Sequence, residues 1–171
     1  APEDDADKAL GDVDPDTARY MICWTNFTPV APGGVEMSCT FSDDMLTATP
    51  PTFSPRRVLA ASTADSLGIS VRFAGNSSPN VYAAWSRFTG AYTNNVGFAR
   101  STDNGVTWSA PINVTSNFIT MDQVLGNDRV HNLPTVAVDN STGVFKGNIY
   151  VVYASNNSLD GADVAFQRSV D

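Results

Sequence analysis

Alternate carboxylates in Asp12-Val13-Asp14-Pro15-Asp16 could converge on a hard cation such as calcium, which takes oxygen ligands. The run lacks the glycine and the distal glutamate of an EF-hand loop, and Asp-Pro also opens ordinary turns, so a calcium site and a plain turn both stand. Asn156-Asn157-Ser158-Leu159-Asp160-Gly161-Ala162-Asp163 carries the same pair of readings, with a hairpin turn at Asp160-Gly161 as the simpler one. His131 is the only histidine, and with no cysteine or second histidine nearby it makes no zinc site. The sequence has no glycine-rich phosphate loop, no Gly-x-Ser-x-Gly elbow and no Cys-His pair, so nothing in it supports phosphoryl or acyl transfer.

Positioning any such group falls to the strands. The 171 residues carry no sustained apolar pattern at helical spacing; β-branched and aromatic runs punctuated by Gly, Asn, Ser and Pro predict an all-β chain. The strands repeat. Asn80-Val81-Tyr82-Ala83-Ala84-Trp85 returns 68 residues later as Asn148-Ile149-Tyr150-Val151-Val152-Tyr153, and the same offset carries Val96-Gly97-Phe98-Ala99-Arg100-Ser101-Thr102-Asp103 onto Val164-Ala165-Phe166-Gln167-Arg168-Ser169-Val170-Asp171. A weaker copy comes first: Met21-Ile22-Cys23-Trp24 fits the Tyr-x-x-Trp strand, Ser42-Asp43-Asp44 fits Ser101-Thr102-Asp103, and Thr52-Phe53-Ser54 fits Thr107-Trp108-Ser109 after an inserted stretch from Met45 to Pro51. Opening strands at 67–73 and 133–139, and closing strands at 57–60 and 111–115, give about four strands per unit.

The clearest local signature is Ser101-Thr102-Asp103-Asn104-Gly105-Val106-Thr107-Trp108. Asp103 can fold over following N–H groups, Gly105 can supply a positive φ, and Trp108 can plug the turn onto an apolar layer. This Ser-x-Asp-x-Gly-x-Thr-Trp segment resembles the Asp-box of sialidases and related secreted β-propellers, and Ser169 and Asp171 resemble the start of another. The resemblance covers most of the chain from about Ala18 and implies four-stranded antiparallel blades, with the box joining the third and fourth strands. Residues 1–17 are then an acidic segment with a first strand, 18–60 a blade with a degenerate box, 65–118 a blade with an intact box, and 130–171 a blade cut short at its box. About two and a half blades do not close a ring of roughly four to eight. The expectation is a fragment, or a ring completed by other segments or other chains.

Catalytic members of that family clamp a substrate carboxylate with arginines, use a glutamate-activated tyrosine as nucleophile and an aspartate as acid/base. Their Phe/Tyr-Arg-Ile-Pro motif is absent. Arg56-Arg57 falls at the closing strand of the first unit, and Arg100 and Arg168 recur with the fold, so all read as structural. Glu36 is the only glutamate besides Glu3 in the acidic start. Tyr20, Tyr82, Tyr150 and Tyr153 lie on strands as packing residues, with Tyr92 in a loop. The expected function is a secreted, non-catalytic module binding glycans or proteins through polar loops such as 88–95 and 156–163. The alternative is part of a sialidase-type glycoside hydrolase whose catalytic residues lie mostly outside this chain.

The remaining features fit an extracellular setting. A net charge of −8 and a pI near 4.4 disfavour nucleic acid and anionic membranes as partners, and no run is long enough to insert in a bilayer. Ala1 to Asp7 reads as a disordered acidic start of a mature chain, or equally as an internal boundary. Cys23 and Cys39 lie equally far from a loop centred near Ala31 on adjacent strands, which allows a disulfide or two buried thiols. Sequons at Asn26, Asn76, Asn113, Asn140 and Asn156 are glycan acceptors in a eukaryotic host and loop composition in a bacterial one.

Overall fold

The computed structural model describes residues 6–27, 34–62, 66–90, 93–115, 118–119, 133–158 and 161–169. They contain no helix and twelve strands: β1 (Ala6–Val13), β2 (Tyr20–Asn26), β3 (Val35–Ser42), β4 (Arg57–Ser62), β5 (Ser66–Phe73), β6 (Val81–Gly90), β7 (Thr93–Ser101), β8 (Ile112–Asn113), β9 (Phe118–Ile119), β10 (Thr135–Val138), β11 (Ile149–Ser158) and β12 (Gly161–Ser169). Three antiparallel meanders result: β1-β2-β3-β4, β5-β6-β7-β8 with β9 also pairing β7, and β10-β11-β12. The chain is all-β, as its alternating patterns predict.

The sequence repeat becomes a repeat of register. Tyr82 pairs Arg100 and Ala84 pairs Phe98 in the second sheet, Tyr150 pairs Arg168 and Val152 pairs Phe166 in the third, and Met21 pairs Phe41 and Cys23 pairs Cys39 in the first. The turn after each opening strand closes on one matching bond, from the N–H of Asp14, Ala74 or Asp139 to the carbonyl of Arg19, Asn80 or Asn148, each at 2.9 Å. Strand β1 begins at Ala6, so the last residues of the acidic start are ordered against Thr25 and Asn26.

The sheets stack face to face. Val81, Ala83 and Trp85 point from β6 toward the first sheet, where they bury Met21, Cys23, Met37 and Cys39. Their neighbours Tyr82 and Ala84 point the other way, onto Val136, Ile149, Val151 and Tyr153 of the third sheet. A strand buried on both faces loses its polar alternation, which is why Val81 to Trp85 reads as one apolar run. Each aromatic in this series sits opposite a small partner: Trp24 over Ser38, Trp85 over Gly97 and Tyr153 over Ala165. A β-carbon on Gly97 would lie 2.6 Å from the Trp85 ring.

Cys23 and Cys39 form a disulfide across β2 and β3 with Cα atoms 4.1 Å apart, resolving the two sequence alternatives in favour of the bridge. It occupies the register position of Ala84 and Phe98. Edge groups of the opening strands are also held across the stack: Asp12 accepts from the Phe73 N–H at 2.9 Å, Thr25 from the Gly68 N–H at 2.9 Å and Ser70 from the Val136 N–H at 3.2 Å. Such bonds protect an edge that would otherwise pair with another strand.

Candidate functional site

The two ends of each sheet differ in chemistry. At the end carrying the β7–β8 connection, Ser101 Oγ donates to Asp103 Oδ1 at 2.7 Å and accepts from the Gly105 N–H at 2.8 Å. The two oxygens of Asp103 receive the backbone N–H of Thr107 at 2.8 Å and its hydroxyl at 2.6 Å. Asn104 and Gly105 take left-handed φ values of 53° and 84°, and Trp108 packs against the core between the first two sheets. The Thr107 hydroxyl, then its N–H and the Ser101 hydroxyl, hold the Asp103 carboxyl below its ordinary range.

The first sheet builds the same frame without the glycine. Ser42 Oγ donates to Asp44 Oδ1 at 2.8 Å, and the Thr52 N–H donates to that oxygen at 2.8 Å, so Asp44 is also depressed, first by Thr52 and then by Ser42. The closing bonds match to a tenth of an ångström: Ser54 N–H to Phe41 O and Ser109 N–H to Arg100 O at 2.8 Å, and Phe41 N–H to Ser54 Oγ and Arg100 N–H to Ser109 Oγ at 3.1 Å. The inserted residues from Met45 to Pro51 lengthen the loop between two clamped ends. In the third sheet, Ser169 closes β12, and Asp171 lies outside the described residues.

Carboxylates at this end are already committed to structure. Asp14 accepts from the Asp16 N–H at 3.0 Å and the Thr17 hydroxyl at 2.5 Å, Asp16 accepts from the Ser77 N–H at 2.6 Å, and Asp12 is bound to Phe73 and lies 3.4 Å from Arg72. The three aspartates of the calcium-like run therefore serve three separate partners, and no group of three metal-ligating side chains forms among the described residues. Asp139 is lowered by the Ser141 hydroxyl and N–H in the same kind of turn. A cleft of about 350 Å³ opens here between the second and third sheets, with Arg100, Lys146, Asn80 and Tyr82 among its walls.

The opposite end, which carries the β2–β3, β6–β7 and β11–β12 hairpins, gathers further buried polar groups without protein partners, as Asn104 Oδ1 and the Trp108 indole N–H are at the first end. Asn26 pairs Glu36, Arg87 pairs Asn95 and Ser155 pairs Asp163, three equivalent positions in three sheets. Asn26 and Ser38 are wholly buried, and Glu36, Asn95 and Ser155 nearly so. Both amide atoms of Asn26, Ser38 Oγ, Asn95 Oδ1 and Ser155 Oγ have no hydrogen-bond partner, and Glu36 Oε2 has only the Arg56 guanidinium at 3.4 Å. Arg87 is satisfied, donating to Asn113 at 2.8 Å. Buried polar atoms without protein partners are scarce in folded proteins, and ordered water commonly satisfies those that occur.

The candidate residues named from the sequence distribute over both ends. Arg57 donates to the Val106 carbonyl at 3.0 Å, holding the second sheet's corner rather than a substrate, whereas Arg56 faces Glu36. Tyr82 and Tyr153 are buried, and Tyr20 and Tyr150 are half-buried. Asn76, Asn113 and Asn140 are exposed, in contrast to Asn26, whose burial leaves no room for a glycan on the folded sheet. The side chain of Asn156, and all of His131, Tyr92, Glu3 and Asp160, lie outside the described residues. Sequence reasoning misses Asn26, Ser38, Asn95 and Ser155 as a shared site. Their signal is the repeat: Asn26, Asn95 and Ser155 recur at one register position inside apolar strands, and Ser38 lies two residues further in, opposite Trp24. No protein-family model matches the chain, and no curated protein matches it.

Proposed function

We propose that this chain is part of a secreted β-propeller of the Asp-box, sialidase-like kind, acting as a non-catalytic module that binds glycans or protein partners. Its blades would be the three stacked meanders, and its binding rim the hairpin end. One observation carries the reading: at the same register position, each sheet places buried polar side chains without protein partners at that end, while the other end commits its carboxylates to turns. Amides, a carboxylate held by a guanidinium and nearby strand aromatics are the groups that hydrogen-bond and stack on sugars. The disulfide is compatible with an oxidising, extracellular setting. Further sheets, from the same polypeptide or from other chains, would complete the ring.

A glycan array and a fluorogenic sialoside assay test the reading together. Retention on the array without turnover is expected, weakened by Asn95→Leu. Hydrolysis of the sialoside would replace the binding reading with the glycoside hydrolase one. Absence of both glycan and protein binding would overturn it.

A further inference from the structure

Most cations of this acidic chain are committed to partners. Of its ten Lys and Arg, Arg129 lies outside the described residues, and six others have side-chain partners: Lys8 with Asp7, Arg19 with Asp43, Arg56 with Glu36, Arg57 with the Val106 carbonyl, Arg72 with Asp12 and Arg87 with Asn113. Arg100, Lys146 and Arg168 have no such partner among the described residues. Two of these three border one space, the cleft of about 350 Å³ between the second and third sheets, with Arg100 coming from the second sheet and Lys146 from the third. A cleft lined by a surplus of one sign of charge draws in the opposite ion.

The equivalent gap between the first and second sheets is neutralised from within. There Arg19 forks onto Asp43 and lies 3.9 Å from the Phe41 ring centroid. One repeat later Asn80 stands at the place of Arg19, Thr102 at that of Asp43 and Arg100 at that of Phe41, so the acid is gone and a cation has replaced the ring. The turn facing the gap differs as well. Its closing bond joins Ala74 to Asn80 in the second sheet but Asp139 to Asn148 in the third, and Lys146 of this longer turn reaches the cleft wall. Asp139 is the one carboxylate on that wall among the described residues, and it accepts from the Ser141 N–H at 2.9 Å within its own turn. The cleft keeps a surplus of positive charge.

We propose that this cleft binds the sulfate or phosphate monoester group of a small polyhydroxy ligand, with the anion shared between Arg100 and Lys146. A guanidinium fork takes two oxygens of an oxyanion, and an ammonium acts as a point charge on another. A tetrahedral monoester offers three terminal oxygens and serves both walls, whereas a carboxylate has only the two that the fork takes. Ser78 and Asn80 also line the cleft, and a hydroxyl and an amide suit the hydroxyl groups of such a ligand. A volume of about 350 Å³ holds more than a bare ion and lies near the lower end of the range for small-ligand pockets. The site lies at the corner end, away from the hairpin end, and needs only the contact between two sheets of this chain. It therefore stands or falls apart from the proposed glycan- or protein-binding role.

Titration calorimetry on the whole chain at low ionic strength tests this with glucose 6-sulfate, glucose 6-phosphate, glucuronate and inorganic sulfate as probes. Saturable binding of at least one of the two esters is expected, about tenfold or more tighter than that of glucuronate. Whichever ester binds more tightly identifies the source of the group. Arg100→Met and Lys146→Met keep much of the aliphatic stem, and each should weaken binding about tenfold. Arg168→Met removes the unpaired cation that lies outside this cleft, and should leave the affinity within about twofold. No saturable binding of either ester, equal affinity for glucuronate or for inorganic sulfate alone, or a loss in Arg168→Met that matches the loss in Arg100→Met would overturn the inference.

Discussion

A β-carbon on Gly105 would lie 1.9 Å from Cε of Met21, although the two residues belong to different sheets. The corner of the second sheet is thus pressed against the first with no room for a side chain, at a φ of 84° that non-glycine residues also resist. Gly105→Val should cost about 3 kcal/mol or more through combined strain and overpacking. In a double-mutant cycle read by urea unfolding, Met21→Ala should recover part of that loss, with a coupling on the order of 1 kcal/mol. Full additivity, or a neutral Gly105→Val, would mean that the sheets do not stack as described.

Acid should weaken the corners first. Asp44, Asp103 and Asp139 are all held below the ordinary carboxylate value of 3.8 by hydrogen bonds to the charged form. A folded pKa below the unfolded one gives stability that is full above the unfolded value and is lost as pH falls through the folded one. Unfolding free energy should therefore be flat above about pH 5 and fall below 3.8. Asp103→Asn should lower the plateau and flatten the acid limb; an unchanged limb would contradict the carboxylate's role.

Reduction provides a second handle on stability. The Cys23–Cys39 bridge spans a sequence separation of 16, for which loop-closure entropy gives about 3 kcal/mol. Because both sulfurs lie under the second sheet, Cys23→Ala with Cys39→Ala should add a packing loss to the entropic one. Denaturant midpoints with and without reductant, compared with the double variant, separate the two contributions.

Arg19 ties the corner to the first sheet from outside. It makes a two-pronged ion pair with Asp43 at 2.5 and 2.8 Å, donates to the Asn104 carbonyl at 2.9 Å and lies 3.9 Å from the Phe41 ring centroid. Asp43 is well exposed, so the pair itself contributes little. Arg19→Lys keeps the charge and loses the fork, and should cost about 1 kcal/mol or less globally while speeding amide exchange at Asn104 and Gly105 severalfold. Protection unchanged at those amides would argue against this tie.

Much of the fold is legible in the sequence because the repeat is written twice without a gap: the offset from Val81 to Ile149 predicts both β6 and β11, and their shared register follows. The half-hidden copy is harder. Thr52 completes the Asp44 clamp as Thr107 completes that of Asp103, yet the insertion after Asp44 displaces it in sequence and removes the glycine that flags the motif. Direction of stacking is not legible, since Val81-Tyr82-Ala83-Ala84-Trp85 is apolar on both faces and period two cannot say which neighbour each face meets. The hairpin-end polar groups escape for a different reason. Asn26 reads as a surface sequon by its local motif, and only tertiary packing buries it.

The clamp formed by Ser42, Asp44 and Thr52 has a consequence of its own. The same pair of anchor points spans a tight glycine turn in one sheet and a roomier excursion in another, with identical closing bonds on either side. The span between the anchors is therefore free to change length without moving the strands that flank it. Each such corner is a splice point, where foreign peptide can be inserted and its ends held while the layers beneath stay in place.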